Sequence, residues 1–161
     1  LAGSGTIHEF AQGEDYLAKE VLIAASKAVR GDLGVGFSFS RRCVQHDSPL
    51  MRYWGATGAL ILGKEAAPLK DDLVELLDDP VLDVRVVAAE ALGHLGESAK
   101  GLPVLVKVVN EGNVYESLAA ANALEALGRD GAVPMATIKA VIPKKVRAEG
   151  ARVVEAIEKI R

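Results

Sequence analysis

The side chains that most often perform chemistry in proteins are few in this sequence and widely spaced. The single cysteine, Cys43, is followed three positions later by His46, and on a helix this spacing places a thiol and an imidazole on one side. No third group is evident to orient the imidazole, and cysteine is among the most buried residue types. The sequence therefore favours a core thiol over a Cys–His nucleophile.

The spacing of the other candidate ligands does not favour a metal site. The three histidines, His8, His46 and His94, fall in three separate segments, whereas zinc sites usually take two ligands from a close pair in sequence. The adjacent acidic pairs Asp71–Asp72 and Asp78–Asp79 are predicted in the first turns of a helix and in a turn that caps the next helix. Neither pair indicates acid–base catalysis, and the sequence predicts no metal ligand.

Two glycine-containing strings resemble nucleotide-binding loops only superficially. Gly31, Gly34 and Gly36 are too closely spaced for a dinucleotide loop, and the Gly63–Lys64–Glu65 string lacks the Ser or Thr of a P-loop. Both strings are interpreted as turns. The sequence therefore predicts no catalytic residue and no cofactor.

The composition limits the kinds of partner. Of the 161 residues, 50% are hydrophobic but only 4% are aromatic, and 19 basic residues face 22 acidic ones for a net charge of −3. Such a chain lacks the broad positive field that holds nucleic acid, and no apolar run is long enough to span a membrane. A small basic cluster near the end (Lys144, Lys145, Arg147 and Arg152) is interpreted as a solvated face.

A repeat accounts for most of the chain. Three Ala-rich segments, 52–63, 85–96 and 117–128, each end in a glycine, and these glycines are 33 and then 32 residues apart. A fourth copy without the glycine, 153–160, closes the chain. Each copy has helical periodicity, and the closing glycine favours a left-handed position after a helix.

A shorter helix is predicted before each Ala-rich helix. Three of these first helices are expected over 66–78, 102–109 and 134–142, each with a proline in its first turn. Because one helix pair cannot cover its own apolar face, the pairs must stack. The sequence therefore predicts an all-α fold, a right-handed α-α superhelix of the HEAT-like or armadillo type.

The predicted domain organisation is simple. Residues 1–15 are expected to form an extended arm or linker, and residues 16–161 a single repeat domain. That domain would begin with a helix over 16–30 and continue with four helix pairs. The repeats lie near 33–63, 64–96, 97–128 and 129–161.

The repeat resembles known proteins at two levels. An Asp–Pro turn followed by Val84–Arg85 and an Ala-rich helix is similar to the short HEAT-like repeat, which also occurs in phycobilisome lyases. At a finer level, the strings 7–12, 16–22, 31–32 and 46–56 occur in an order that resembles the C-terminal extension of bacterial sulfatases of the N-sulfoglucosamine sulfohydrolase-like type. The Arg52–Tyr53–Trp54 piece is the most distinctive part of this resemblance.

The resemblance implies a non-catalytic role. Sulfatases use a formylglycine made from a Cys or Ser in a Cys-x-Pro/Ala-x-Arg setting, whereas Cys43 is followed by Val44, Gln45, His46 and Asp47. The large catalytic domain of that family is also missing from this chain. The resemblance implies a tail module that binds its parent catalytic domain, and export from the cytoplasm, as is usual for such sulfatases.

Four residues form the predicted interaction surface. Arg52 and Arg85 occupy the same repeat position, and we expect each to pair with a turn aspartate, Arg85 with Asp83 or Asp47. Tyr53 and Trp54 are larger than their repeat equivalents, so they either fill space beside the 16–30 helix or form an exposed hot spot. Packing is the favoured alternative for Trp54.

The sequence thus predicts a scaffold for a protein partner or a parent domain, with neither nucleic acid nor membrane as its target. The alternative is an enzyme or accessory protein of HEAT-like fold, similar to a bilin lyase or to a helical-repeat DNA glycosylase. The glycosylase alternative requires a basic groove with aromatic residues. The charge along the second helices should therefore distinguish the two.

Overall fold

A computed structural model describes residues 33–141 and four isolated positions, Lys19, Leu22, Ile23 and Ser26. The described residues form helices and turns without a strand, which confirms the all-α prediction. The four isolated positions are helical, and they fall within the predicted helix 16–30. The rest of that helix, the 1–15 arm and the fourth Ala-rich copy lie outside the described residues.

Seven α-helices and two 3₁₀ segments follow one another within residues 33–141. In chain order they are α1 (Leu33–Cys43), α2 (Pro49–Leu62), a 3₁₀ segment (Gly63–Leu69), α3 (Lys70–Glu75), a 3₁₀ segment (Leu76–Asp78), α4 (Leu82–His94), α5 (Ser98–Glu111), α6 (Val114–Arg129) and α7 (Met135–Val141).

The Ala-rich helices are neighbours in space. α4 packs between α2 and α6, while α1 packs on α2, α5 packs on α4 and α6, and α7 packs on α6. One large apolar core links these elements from Val44 to Ile138. Its alanines lie on the second helices and allow close helix approach, whereas its leucines fill the space between pairs; these alanines are Ala56, Ala59, Ala88, Ala89, Ala91, Ala120, Ala121 and Ala123.

The predicted helix 66–78 is interrupted in the structure. Its central turn, α3, is α-helical, but 3₁₀ segments flank it on both sides. Pro68 lies in the first of these segments, where it lacks the N–H of an α-helical bond and its ring would collide with the carbonyl four residues earlier. The predicted start of the next first helix was also wrong, because α5 begins at Ser98 and contains Pro103 in its interior.

Two of the three closing glycines have the predicted conformation. Gly63 and Gly96 have φ values of 58° and 84°, which suit a residue without a Cβ. The prediction was wrong for Gly128, which lies inside α6; the positive φ, 72°, is at Gly131 instead. Gly128 serves helix packing, since a Cβ there would stand 2.3 Å from Cε of Met135 on α7.

Replacement of Gly55 by Ala should destabilise the protein. A Cβ on Gly55 would lie 2.7 Å from the main-chain nitrogen of Val44, and backbone cannot move aside as a flexible side chain can. Overpacking of this kind costs about 1–3 kcal/mol. Chemical denaturation measures the loss. The matched control Gly34→Ala places its Cβ in open space on α1 and should change stability by less than about 1 kcal/mol; equal effects at the two positions would contradict the close approach of α1 and α2.

Candidate functional site

Arg52 joins one helix pair to the next. Its Nε donates to Oδ2 of Asp79 at 2.5 Å and its Nη2 donates to Oδ1 at 3.2 Å. Its Nη1 donates to the carbonyls of His46 and Asp47 at 2.9 and 2.7 Å. The Arg52 side chain is 14% exposed and that of Asp79 is 2% exposed, so the pair is nearly enclosed. All three guanidinium nitrogens are therefore used within the fold.

Arg85 contributes to the same turn in a different way. Its Nε donates to the main-chain carbonyl of Asp79 rather than to Asp47, so the predicted pairing with Asp47 was wrong. The physical reason is that Arg52, reaching across from α2, already occupies the carboxylate of Asp79. That carboxylate also accepts the N–H of Val81 at 2.9 Å, within the turn. Asp79 therefore organises the turn instead of capping α4, whose N-cap residue is Val81.

Tyr53 and Trp54 lie side by side on α2 and are both half-buried. Their ring centroids are 5.6 Å apart at an interplanar angle of 84°, an edge-to-face arrangement. Trp54 packs on a small cluster formed by Phe39, Cys43 and Met51, while Tyr53 packs on the main core. Trp54 thus has a packing contact with α1; its predicted contact with the 16–30 helix lies outside the described residues.

A row of polar groups lines the outer side of α4. Asp83, Val87, Glu90 and His94 follow at intervals of four, three and four residues, which places them on one helical face, and all four are half-buried. Burial, followed by the charges of Asp83 and Glu90, raises the pKa of Tyr53. Burial and the nearby Asp130 raise the pKa of Glu90, while Arg129 opposes this shift.

The remaining sequence candidates stay apart. Cys43 is 2% exposed and belongs to the apolar cluster under Trp54, which fits a core thiol. His46 is exposed, and its Nδ1 accepts the N–H of Ser48 at 3.0 Å. His94 Nε2 lies 4.0 Å from Oδ2 of Asp130. Within residues 33–141 no group of three or more acidic, His or Cys residues could hold a metal ion, and no helix there has the length and apolarity to cross a membrane.

Sequence reasoning missed an exposed apolar group at the start of α6. Val114, Tyr115 and Leu118 are 79%, 82% and 42% exposed. The signal was present in the repeat register, since the residues 32 positions earlier, Leu82, Asp83 and Val86, are half-buried or buried. α6 begins with a capping box in which Asn113 accepts the N–H groups of Tyr115 and Glu116. This cap fixes the start of the helix just before the exposed side chains.

Comparison of this chain with protein-family models, with curated proteins and with solved structures gives no match. The functional argument therefore rests on the described geometry.

Removal of Arg52 should cost much more stability than removal of an exposed arginine. Arg52→Ala leaves the enclosed carboxylate of Asp79 without its cation, a change that costs about 3–5 kcal/mol for a buried pair. Arg129→Ala removes an exposed ion pair with Asp130, worth about 0–1 kcal/mol. Urea unfolding of both variants measures the difference. The double variant Arg52→Ala/Asp79→Ala should lose less than the sum of the two single losses, and strict additivity would show that the pair is not coupled.

Glu90→Gln should stabilise the protein at neutral pH. Because the folded-state pKa of Glu90 is raised above its ordinary value of 4.5, folding disfavours the charged form. The contribution of this group to stability is complete below pH 4.5 and is lost as the pH rises through the raised pKa. Thermal melts of both proteins from pH 4 to pH 8 should therefore agree at the acidic end and separate above it, with the variant melting higher. A constant offset, or a parent protein that melts higher at neutral pH, would contradict the burial of Glu90.

Proposed function

We propose that this protein is a non-catalytic helical-repeat scaffold of the HEAT-like type, which binds another protein or its own parent domain along the row α2, α4 and α6. The repeat period of 33 and 32 residues supports this arrangement, as does the side-by-side contact of these three helices. Successive pairs of a right-handed superhelix would extend the row. The observation that carries the proposal is this row of three adjacent helices with repeat-equivalent side chains at its surface.

Those side chains define an outer strip. Thr57, Glu90 and Asn122 are 33 and 32 positions apart, and Ile61 and His94 form a second, 33-residue register one turn further along. Each of the five is half-buried or exposed, and Ile61 is 45% exposed. A strip that combines an aliphatic side chain with an amide, a carboxylate and an imidazole has the mixed character of a protein–protein interface.

The charge of the row also favours a protein partner. The three helices carry three arginines against four acidic residues; these are Arg52, Arg85 and Arg129 against Asp83, Glu90, Glu116 and Glu125. Two of the arginines are already bonded to Asp79. A nucleic-acid groove gains affinity from clustered, accessible cations, so this row gives no support to the glycosylase alternative.

Bonds between neighbouring units support a rigid platform. Gln45 donates to Asp72 at 2.6 Å, Arg52 to Asp79 at 2.5 Å, and Lys70 to Glu97 at 3.1 Å, and each bond joins residues 27 positions apart. Hydrogen bonds from Lys70 and Lys100 lower the pKa of Glu97. Interfaces bind more tightly when the surface is ordered before the partner arrives. A platform braced in this way suits a scaffold.

The resemblance to sulfatase C-terminal extensions names the first partner to test. In this proposal the segment Ile7–Gln12, outside the described residues, leads from a sulfatase-type catalytic domain into the repeat domain. The outer strip would then bind that domain or a protein recruited to it. Export with the parent enzyme follows from the same resemblance.

Substitutions on the outer strip should weaken binding of the parent sulfatase-type catalytic domain. Ile61→Arg and Asn122→Arg place a long cation on exposed positions of α2 and α6, so the fold should tolerate them. Isothermal titration of the full chain should give a Kd raised by about 10-fold or more for each variant. The matched control Ala67→Arg, exposed on the 3₁₀ segment outside the strip, should stay within about two-fold of the parent. An equal loss in the control, or absence of binding by the unmodified chain, would overturn the proposal.

A further inference from the structure

The start of α6 lacks the cover that the start of each earlier second helix has. The residues equivalent to Val114, Tyr115 and Leu118 are Leu82, Asp83 and Val86 on α4, and Pro49, Leu50 and Tyr53 on α2. All six equivalents are half-buried or buried, with Leu50 and Val86 at 3% and 4% exposure, whereas the α6 residues are exposed. Three neighbouring apolar side chains in solvent mark a surface that is incomplete.

The earlier helices show what provides the cover. α4 packs on α2 and α6 packs on α4. Asp83 and Glu90 of α4 lie near enough to Tyr53 of α2 to act on its hydroxyl electrostatically. Each second helix therefore lies against the next one along the chain, and α6 would need a following second helix in the same place.

We propose that the exposed face of α6, formed by Val114, Tyr115 and Leu118, is the docking surface for the last segment of this same chain, residues 150–161. This inference uses the repeat register of the proposed function but concerns a different surface. The segment carries Val153, Val154, Ile157 and Ile160 at helical spacing. It supplies an apolar stripe for the apolar face of α6.

The position of the segment in the chain supports this assignment. α7 ends at Val141, the last described residue, and it packs on α6. Residues 142–149, which include Pro143, then remain for the turn, and helix–helix connections of about 2–8 residues are usual. The segment therefore starts beside the helix that it covers, at the high effective concentration of a short tether.

Charge supports the same occupant. Residues 142–161 contain six basic residues and three acidic ones, a net charge of +3, so the other 141 residues carry −6 of the total of −3. The basic residues are Lys144, Lys145, Arg147, Arg152, Lys159 and Arg161. Opposite net charges steer the tail towards the body of the protein and reduce the competition from a second, equally charged copy.

Cross-linking in the full chain tests the docking directly. By the register in which Tyr53 meets Asp83 and Glu90, Leu118 meets Ala148 and Glu155. We expect Leu118→Cys/Glu155→Cys to form an intramolecular cross-link with a short bis-maleimide reagent, in a yield independent of protein concentration. The control Ala67→Cys/Glu155→Cys should not cross-link, and the parent chain should not react because Cys43 is buried.

Each outcome of the cross-linking decides the question. Absence of the Leu118–Glu155 product, in a variant whose circular dichroism shows a folded chain, would overturn the proposal; Leu118→Cys/Ala148→Cys provides an independent pair should the first fail to fold. Dimeric products that increase with concentration would overturn it in favour of a second copy on this face. Cross-linking without binding of the sulfatase-type domain would refute the proposed function alone, and binding without cross-linking would refute only the docking of the tail.

Discussion

The close contact of small residues between helices is the constraint on which the rest of the structure depends. Gly55 of α2 rests against the backbone of α1, and Gly101 of α5 lies so near α4 that a Cβ would stand 2.5 Å from the carbonyl oxygen of Ala89. Alanines continue this contact along the second helices. Burial of an alanine methyl contributes about 0.8 kcal/mol at most, against about 1.5–3 kcal/mol for a leucine. The leucines therefore supply most of the stabilisation, while the alanines and glycines set how near the helices lie.

That separation determines where polar groups can reach. With α2 and α4 in contact, the Arg52 guanidinium spans from one helix pair to the turn of the next and meets the Asp79 carboxylate at both ends of its fork. A bidentate arginine pair adds geometric specificity to its electrostatic attraction. Its near-complete enclosure makes it sensitive to loss of either partner, in contrast to the exposed pair of Lys107 and Glu111. The brace fixes the angle between pairs, and with it the outer strip that the proposed partner meets.

The helical periodicity of the Ala-rich segments and their 33- and 32-residue spacing were sufficient to predict α2, α4 and α6. Local sequence failed where tertiary contacts or proline decided the outcome. Gly128 resembles the other closing glycines in sequence, yet α7 packs against it and α6 continues past it. Pro68 divides the 63–78 stretch into α and 3₁₀ turns. The partner of Arg85 could not be predicted, because it depends on Arg52 having already bound the carboxylate of Asp79.

The candidate site was predictable only in part. The pattern located Arg52 and Arg85 on equivalent turns of α2 and α4, but a guanidinium near a turn can face either a partner or the fold, and only the three-dimensional arrangement distinguishes these. The exposed start of α6 follows from a comparison of burial at equivalent positions, which sequence does not contain. The row of second helices, rather than the arginines, is thus the surface that best fits a scaffold.

Translational repetition is the central claim, and an experimental structure of the full chain tests it most directly. The measurement is the rotation and translation that superimpose each helix pair on the next. We expect one right-handed operation to carry α2 to α4, α4 to α6, and α6 to residues 150–161. Unrelated operations at successive steps, or a closed bundle in which α2 and α6 share a single central core, would contradict the account.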